Sequence, residues 1–294
     1  MLEGEVRIGV IFPAGQGGDD PLEAAMARAA AHGAARAGDE FTFNAGMLGI
    51  DFAVPTVEAS GAEAVVAAAR ELVAEHGAFG VVGGFSAAEA AALATWSSES
   101  GVPYLNVGAS ADSLRNDLCQ ATMFHVEPSA AMYLDAMAGW YVRSGLRQWY
   151  FVRGVDEESS AQLQRINRGL RERHFGVRSV GESAIEVGGD TSEAVSRIER
   201  SRADLVVLLL PAHEQLRVLS VLESAGLDVM VTGFPYPEAQ TRTFYAASRE
   251  AAPTLGTGHR VSAWEATLDA YGARELNARY RAAFDEPMDA SAWT

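Results

Sequence analysis

The run Val81-Val82-Gly83-Gly84-Phe85-Ser86-Ala87-Ala88-Glu89 sets an apolar strand end, two glycines and a serine at the start of a helical stretch. Backbone N–H groups left open at a helix start, with the helix dipole behind them, favour a carboxylate or another electron-rich group. Ser86 and Ala87 are therefore candidate ligand contacts, and Phe85 a candidate apolar wall. A plain tight turn with an N-cap is the competing reading of the same residues. A second glycine-rich loop, Gly15-Gln16-Gly17-Gly18-Asp19-Asp20, lacks the GxGxxG spacing. Its two aspartates at a helix start would repel a phosphate, so it reads as a rim loop.

Catalytic chemistry finds no home in the sequence. The six histidines are scattered, with no HxH, HExxH or CxxC grouping to hold a metal. There is no GxSxG elbow, and Cys119, the single cysteine, has no neighbouring histidine. All 23 basic residues are arginines. Without lysine there is neither Schiff-base chemistry nor a Walker-type phosphate loop. A net charge of −16 makes nucleic acid an unfavourable partner. No cofactor, metal or enzymatic turnover is expected.

These residues must be positioned by regular elements, and the pattern is one of short apolar runs alternating with longer amphipathic stretches. That is the signature of βαβ units around parallel sheets. A first series reads as a strand at 6–12, a helix at 21–37, strands at 41–43 and 50–56, and a helix at 61–76. A strand at 79–82, a helix from 87 to about 99 and a strand at 104–106 complete it. A second series runs through helices at 129–144, 157–173, 191–201 and 212–225, with strands at 148–152, 178–185, 204–210 and 228–232. A late helix is expected at 266–284. Two successive series predict an α/β protein of two Rossmann-like lobes joined by a hinge. Lobe one is expected to take residues 1–125 plus 251–294, and lobe two residues 126–250.

The order strand, GGFS, helix, then Gly101-Val102-Pro103-Tyr104-Leu105-Asn106-Val107-Gly108-Ala109-Ser110 resembles the first lobe of the branched-chain amino-acid-binding family. These are type I periplasmic solute-binding proteins of ABC importers. Phe124-His125-Val126-Glu127-Pro128-Ser129 is similar to the family's crossing into lobe two. The resemblance implies that Ser86–Ala88, Gly108 and Ser110 grip a ligand's polar head in an interlobe cleft. Phe85, Tyr104 and Tyr236 would form walls, and Asn106 and Glu127 would be further polar groups. It also implies a membrane permease as partner, a periplasmic or other extracytoplasmic location, and an export leader upstream of Glu5. A narrower likeness, through Asn106–Ala109, Asp112, Leu114-Arg115, Cys119 and Tyr271–Tyr280, is to a branch encoded beside pyrroloquinoline-quinone-dependent alcohol dehydrogenases.

Departures from the family pattern bear on the ligand. Amino-acid-binding members place a carboxylate after the strand equivalent to 229–232, where this chain has Phe234-Pro235-Tyr236. Their lobe-two aromatic contacts fall near 157–159 and 210–212, which are not aromatic here. The family's chain also continues beyond the position of Thr294. The expected ligand is thus a small organic molecule other than a standard free amino acid. A cytoplasmic ligand-sensing regulator of the same fold and a partner module with a degenerate pocket are the alternatives.

Overall fold

The computed structural model describes residues 5–15 and 19–294. Residues 16–18 of the expected rim loop and the first four residues lie outside the described set. Packing divides the chain into two compact units, one comprising Met1–Pro128 with Ala263–Thr294 and the other Ser129–Ser262.

The first unit begins with β1 (Glu5–Phe12), followed by helix α1 (Pro21–Gly46), capped by Asp20, whose side chain accepts from the Leu22 N–H. Next come β2 (Asp51–Ala53), β3 (Thr56–Glu58), α2 (Ala62–Ala74), β4 (Gly80–Gly83), α3 (Ala87–Ser100), β5 (Tyr104–Asn106) and β6 (Met123–His125). The sheet order is β2-β1-β4-β5-β6, with β3 also on β1, and every pairing is parallel. The expected strand at 50–56 is broken between its halves because Pro55 has no N–H to give; its carbonyl instead accepts from Val10. Strand alternation turns Ile11, Val81 and Tyr104 into a core shared with Leu72 and Leu93 of α2 and α3. On the other side, Val10, Val82 and Leu105 line an apolar cavity of about 260 Å³ beneath α1. Two later helices, α9 (Ala273–Phe284) and α10 (Ala290–Trp293), complete the unit.

Two expectations are corrected here. Phe41–Phe43, read as a strand for its aromatic and β-branched content, is the last part of α1, where Phe41 and Phe43 are exposed. No breaker interrupts the helical hydrogen bonds before Gly46, and the turn is completed at Gly49 with φ +74°. The late helix starts at Ala273 rather than 266, behind the left-handed Gly272.

The second unit runs α4 (Ala130–Arg143), β7 (Gln148–Gly154), α5 (Glu157–Arg173), β8 (Arg178–Ile185) and α6 (Ser192–Ser201). It continues with β9 (Leu205–Leu209), α7 (Ala212–Ser224), β10 (Met230–Gly233) and α8 (Arg242–Ala251). Its parallel sheet has the order β10-β9-β7-β8. The continuous apolar run of β9 is fully buried, as an inner parallel strand covered on both faces must be. No helix among the described residues is long and apolar enough to cross a membrane.

Candidate functional site

In open α/β sheets the crevice lies at the carboxyl ends of strands where the winding direction reverses. In the first unit that point falls between β1 and β4, and in the second between β7 and β9. The GGFS run follows directly on β4. Gly84 has φ +79°, and a Cβ there would stand 2.2 Å from the Tyr104 hydroxyl. The Tyr104 hydroxyl donates to the Gly83 carbonyl, 3.2 Å away. Burial, helped by the charge of Glu89, pushes the pKa of this phenol far up, so it stays protonated as the donor.

Ser86 is the N-cap of α3, its Oγ accepting from the Glu89 N–H at 3.3 Å. Glu89 answers with its carboxylate. Oε2 accepts from the N–H groups of Phe85 (3.0 Å) and Ser86 (3.2 Å), and Oε1 from that of Gly61 (2.7 Å). Glu89 thus closes a reciprocal capping box on the N–H groups that precede α3, and takes none from Ala87 or Ala88. Ser86 is exposed, whereas Ala87 is half-buried against the core. Phe85 faces the apolar cavity and packs so closely on Gly108 that a Cβ there would lie 2.7 Å from the ring.

Asn106 closes the end of β5 and is fully buried. Its Oδ1 accepts from the N–H groups of Gly108 (3.3 Å) and Ala109 (2.9 Å), and its Nδ2 donates to the Ala109 carbonyl (2.7 Å) and to Nδ1 of His125 (3.2 Å). The amide is thus fully committed to shaping the 107–110 turn, and it supports the site rather than offering a free polar atom. Ser110 and Glu127 are both buried, and the Glu127 N–H donates to the Asn106 carbonyl at 3.2 Å. Arg115 donates to the Glu127 carbonyl. The structure gathers Phe85, Asn106, Gly108 and Glu127 around the ends of β4 to β6; Tyr236 belongs to the second unit.

Burial and the nearby Arg115 charge lower the pKa of His125 in the folded chain. The unfolded chain takes up this proton near 6.5, while the folded chain waits for a lower pH. Folding stability from this group is complete at neutral pH and falls as the pH drops below about 6.5, since the unfolded state then binds more protons. The melting temperature of wild type should accordingly fall more between pH 7 and pH 5 than that of His125→Gln. Equal slopes would disprove the assignment.

In the second unit, Asp156 caps α5, accepting from the N–H (2.8 Å) and hydroxyl (2.7 Å) of Ser159. Burial opposes its charge, but these donors hold its pKa below the usual carboxylate range. Glu158, one turn before Gln162, has its pKa raised by burial and by the charge of Asp156. Gln162 is buried, and its Nε2 donates to the Tyr236 hydroxyl at 3.0 Å. That contact joins α5 to the segment after β10. Gln215 of α7 ties the neighbouring loops, its Nε2 donating to the carbonyls of Leu210 and Phe234, each at 2.8 Å. Its Oε1 accepts from Arg260 at 3.0 Å, and the Arg260 guanidinium lies 4.8 Å from the centre of the Phe244 ring.

A family model described as periplasmic binding protein matches residues 5–294. The chain belongs to this family. It is a ligand-binding protein of the type I periplasmic fold and not an enzyme. No curated protein sequence matches it. Among solved structures it is similar to the branched-chain amino acid transporter substrate-binding protein of Streptococcus pneumoniae in complex with isoleucine. The identity is 19% and the TM-score 0.79, covering 98% of this chain and 80% of that one. It is also similar to an ABC-transporter solute-binding protein of R. palustris in complex with benzoate, at 17% identity and TM-score 0.75, covering 98% and 76%. A third, from Rhodopseudomonas palustris BisB5 with 3,4-dihydroxybenzoic acid, has 16% identity and a TM-score of 0.71, covering 98% and 76%.

Three residues of this binding protein escaped the sequence reading. Glu89 had a visible signal, since Ser86-Ala87-Ala88-Glu89 is a capping box. Glu158 and Gln162 had only their spacing of four, which sets them one above the other on α5 but says nothing of Tyr236.

Proposed function

We propose that this binding protein is the extracytoplasmic solute receptor of an ABC importer, delivering a small organic ligand to a membrane permease. In the first unit the candidate ligand contacts are the turns after β4 and β5, at the carboxyl ends of its strands; the second unit, taken by itself, offers the start of α5 and Tyr236. The observation that carries this reading is the family match, which extends over both units without interruption. The ligand is not a standard free amino acid. Two N–H groups that a ligand carboxylate would seek, those of Phe85 and Ser86, are already taken by Glu89. The segment 234–236, after β10, supplies no acid for an ammonium.

The test is a thermal-stability screen of the purified chain against amino acids, amides, amines, aromatic acids and polyols. A ligand at a hundred times its Kd stabilises the fold by about 2.7 kcal/mol. That corresponds to a rise of roughly 5 °C or more in Tm for a unit of this size. A screen in which leucine, isoleucine or valine gives the largest rise would overturn the ligand class. One in which nothing binds would favour the partner-module alternative.

A further inference from the structure

The binding reading above leaves the ligand's chemistry open, and one buried side chain narrows it. Gln162 is 2% exposed, yet its Oε1 has no hydrogen-bond partner. The amide orientation is set from the other end. Nε2 donates to the Tyr236 hydroxyl at 3.0 Å and lies 3.5 Å from Oε1 of Glu158; the hydroxyl can serve either end of the amide, and the carboxylate sets the nitrogen on this side. A buried carbonyl oxygen without a donor is costly, and native proteins rarely keep one that meets nothing. Gln162 follows by one turn the acids that open α5. Glu157 and Glu158 occupy the first turn, and Asp156 the cap. Among the described residues none of the three forms an ion pair with an arginine. Arg153, the nearest in sequence, turns to the Gly154 carbonyl, Ser160 and Glu182. The carboxylate nearest this amide, that of Glu158, is therefore not neutralised by an arginine, and no donor reaches Oε1.

We propose that Gln162 Oε1, flanked by Glu158 and Tyr236, is the acceptor through which the second unit selects ligands with an N–H donor head, a primary amide or amine, over carboxylates of the same shape. The proposal rests on the solute-receptor reading and specifies its ligand class. The acceptor lies beside the carboxyl end of β9, because α5 follows β7, Tyr236 follows β10, and β9 runs between those two strands. A site that offers a buried acceptor rejects an analogue lacking the donor more strongly than a pocket rejects a change of size. A carboxylate would bring a further negative charge and no donor.

Four probes of one shape test this: benzamide, benzylamine, benzoate and methyl benzoate, titrated calorimetrically into the full chain. Benzamide or benzylamine should bind about tenfold or more tightly than either benzoate or the ester, the size expected for one added hydrogen bond. In Gln162→Met, which keeps the length of the side chain, that ratio should fall to about one. Glu158→Gln should weaken benzylamine and spare benzamide, and it serves as an independent variant if Gln162→Met does not fold. Benzoate binding as tightly as benzamide, an unchanged ratio in Gln162→Met, or no binding by any probe would each overturn the donor-selective site. Tight benzoate binding would do so while leaving the solute-receptor reading intact; only failure of the broad screen as well would remove both.

Discussion

Gly84→Ala should be among the most destabilising single substitutions in the first unit, costing roughly 2–4 kcal/mol. Two separate penalties combine. The backbone at φ +79° lies in the left-handed region, which an L-alanine enters only at a cost of about 1 kcal/mol. The added methyl would also stand 2.2 Å from the Tyr104 hydroxyl and 3.3 Å from Ala90, both in the packed core. Either the phenol leaves the Gly83 carbonyl or α3 moves away from the sheet. Urea denaturation measures the total, and the double variant Gly84→Ala/Tyr104→Phe separates its parts. Removing the hydroxyl should return the portion due to overlap and leave the backbone portion. A Gly84→Ala protein with an unchanged midpoint would show that the turn after β4 is not built as described.

Gln215→Leu is expected to be comparably damaging in the second unit. Gln215 is fully buried, and its one amide group donates to two carbonyls on different loops and accepts from Arg260. Leucine fills similar space but leaves the Leu210 carbonyl without a donor and takes from the Arg260 guanidinium the acceptor it has in Gln215, at about 1–3 kcal/mol each, while the Phe234 carbonyl keeps only the Tyr236 N–H. A loss of roughly 3 kcal/mol or more in chemical denaturation is the expected result. Gln215→Glu discriminates the cause. It improves the attraction to Arg260 but offers acceptors where both loops need donors. If the loops matter most it should be as damaging as leucine, and if the arginine matters most it should be nearly neutral. Because Leu210 and Phe234 terminate β9 and β10, either variant should also weaken ligand binding.

The parallel strands were legible because burial on both faces forces long apolar runs, as at Leu205–Leu209, and the helices because of their amphipathic spacing, with a cap such as Ser86 to announce the start. The edge strand Met123–His125 was not. It has three residues, only one of them buried, and no alternation to detect. Helix α8 was also missed, since Pro235, Pro237 and Pro253 around it read as irregular chain. For the site, residue type identified where polar groups gather, at Phe85–Ser86 and Asn106–Ser110, but not how each is used. Asn106 and a potential ligand contact look alike in sequence; only the four hydrogen bonds of its amide separate a scaffold residue from a free one. Gln162 became visible only when the chain brought Tyr236 beside it.

The first unit is assembled from two stretches of chain, with the whole of Ser129–Ser262 lying between them in sequence. Gly33 in the middle of α1 rests against the backbone of Ala292, so close that a methyl at 33 would stand 2.5 Å from the Ala292 carbonyl. During synthesis, then, α1 leaves the ribosome long before the segment that covers it, while every element of the second unit is available in one uninterrupted length. Contacts between distant residues form late because closing the intervening chain costs entropy first. The middle of the gene thus encodes the part that can finish early, and the opening strands, though made first, are completed last. That delay keeps the larger unit open for as long as translation lasts.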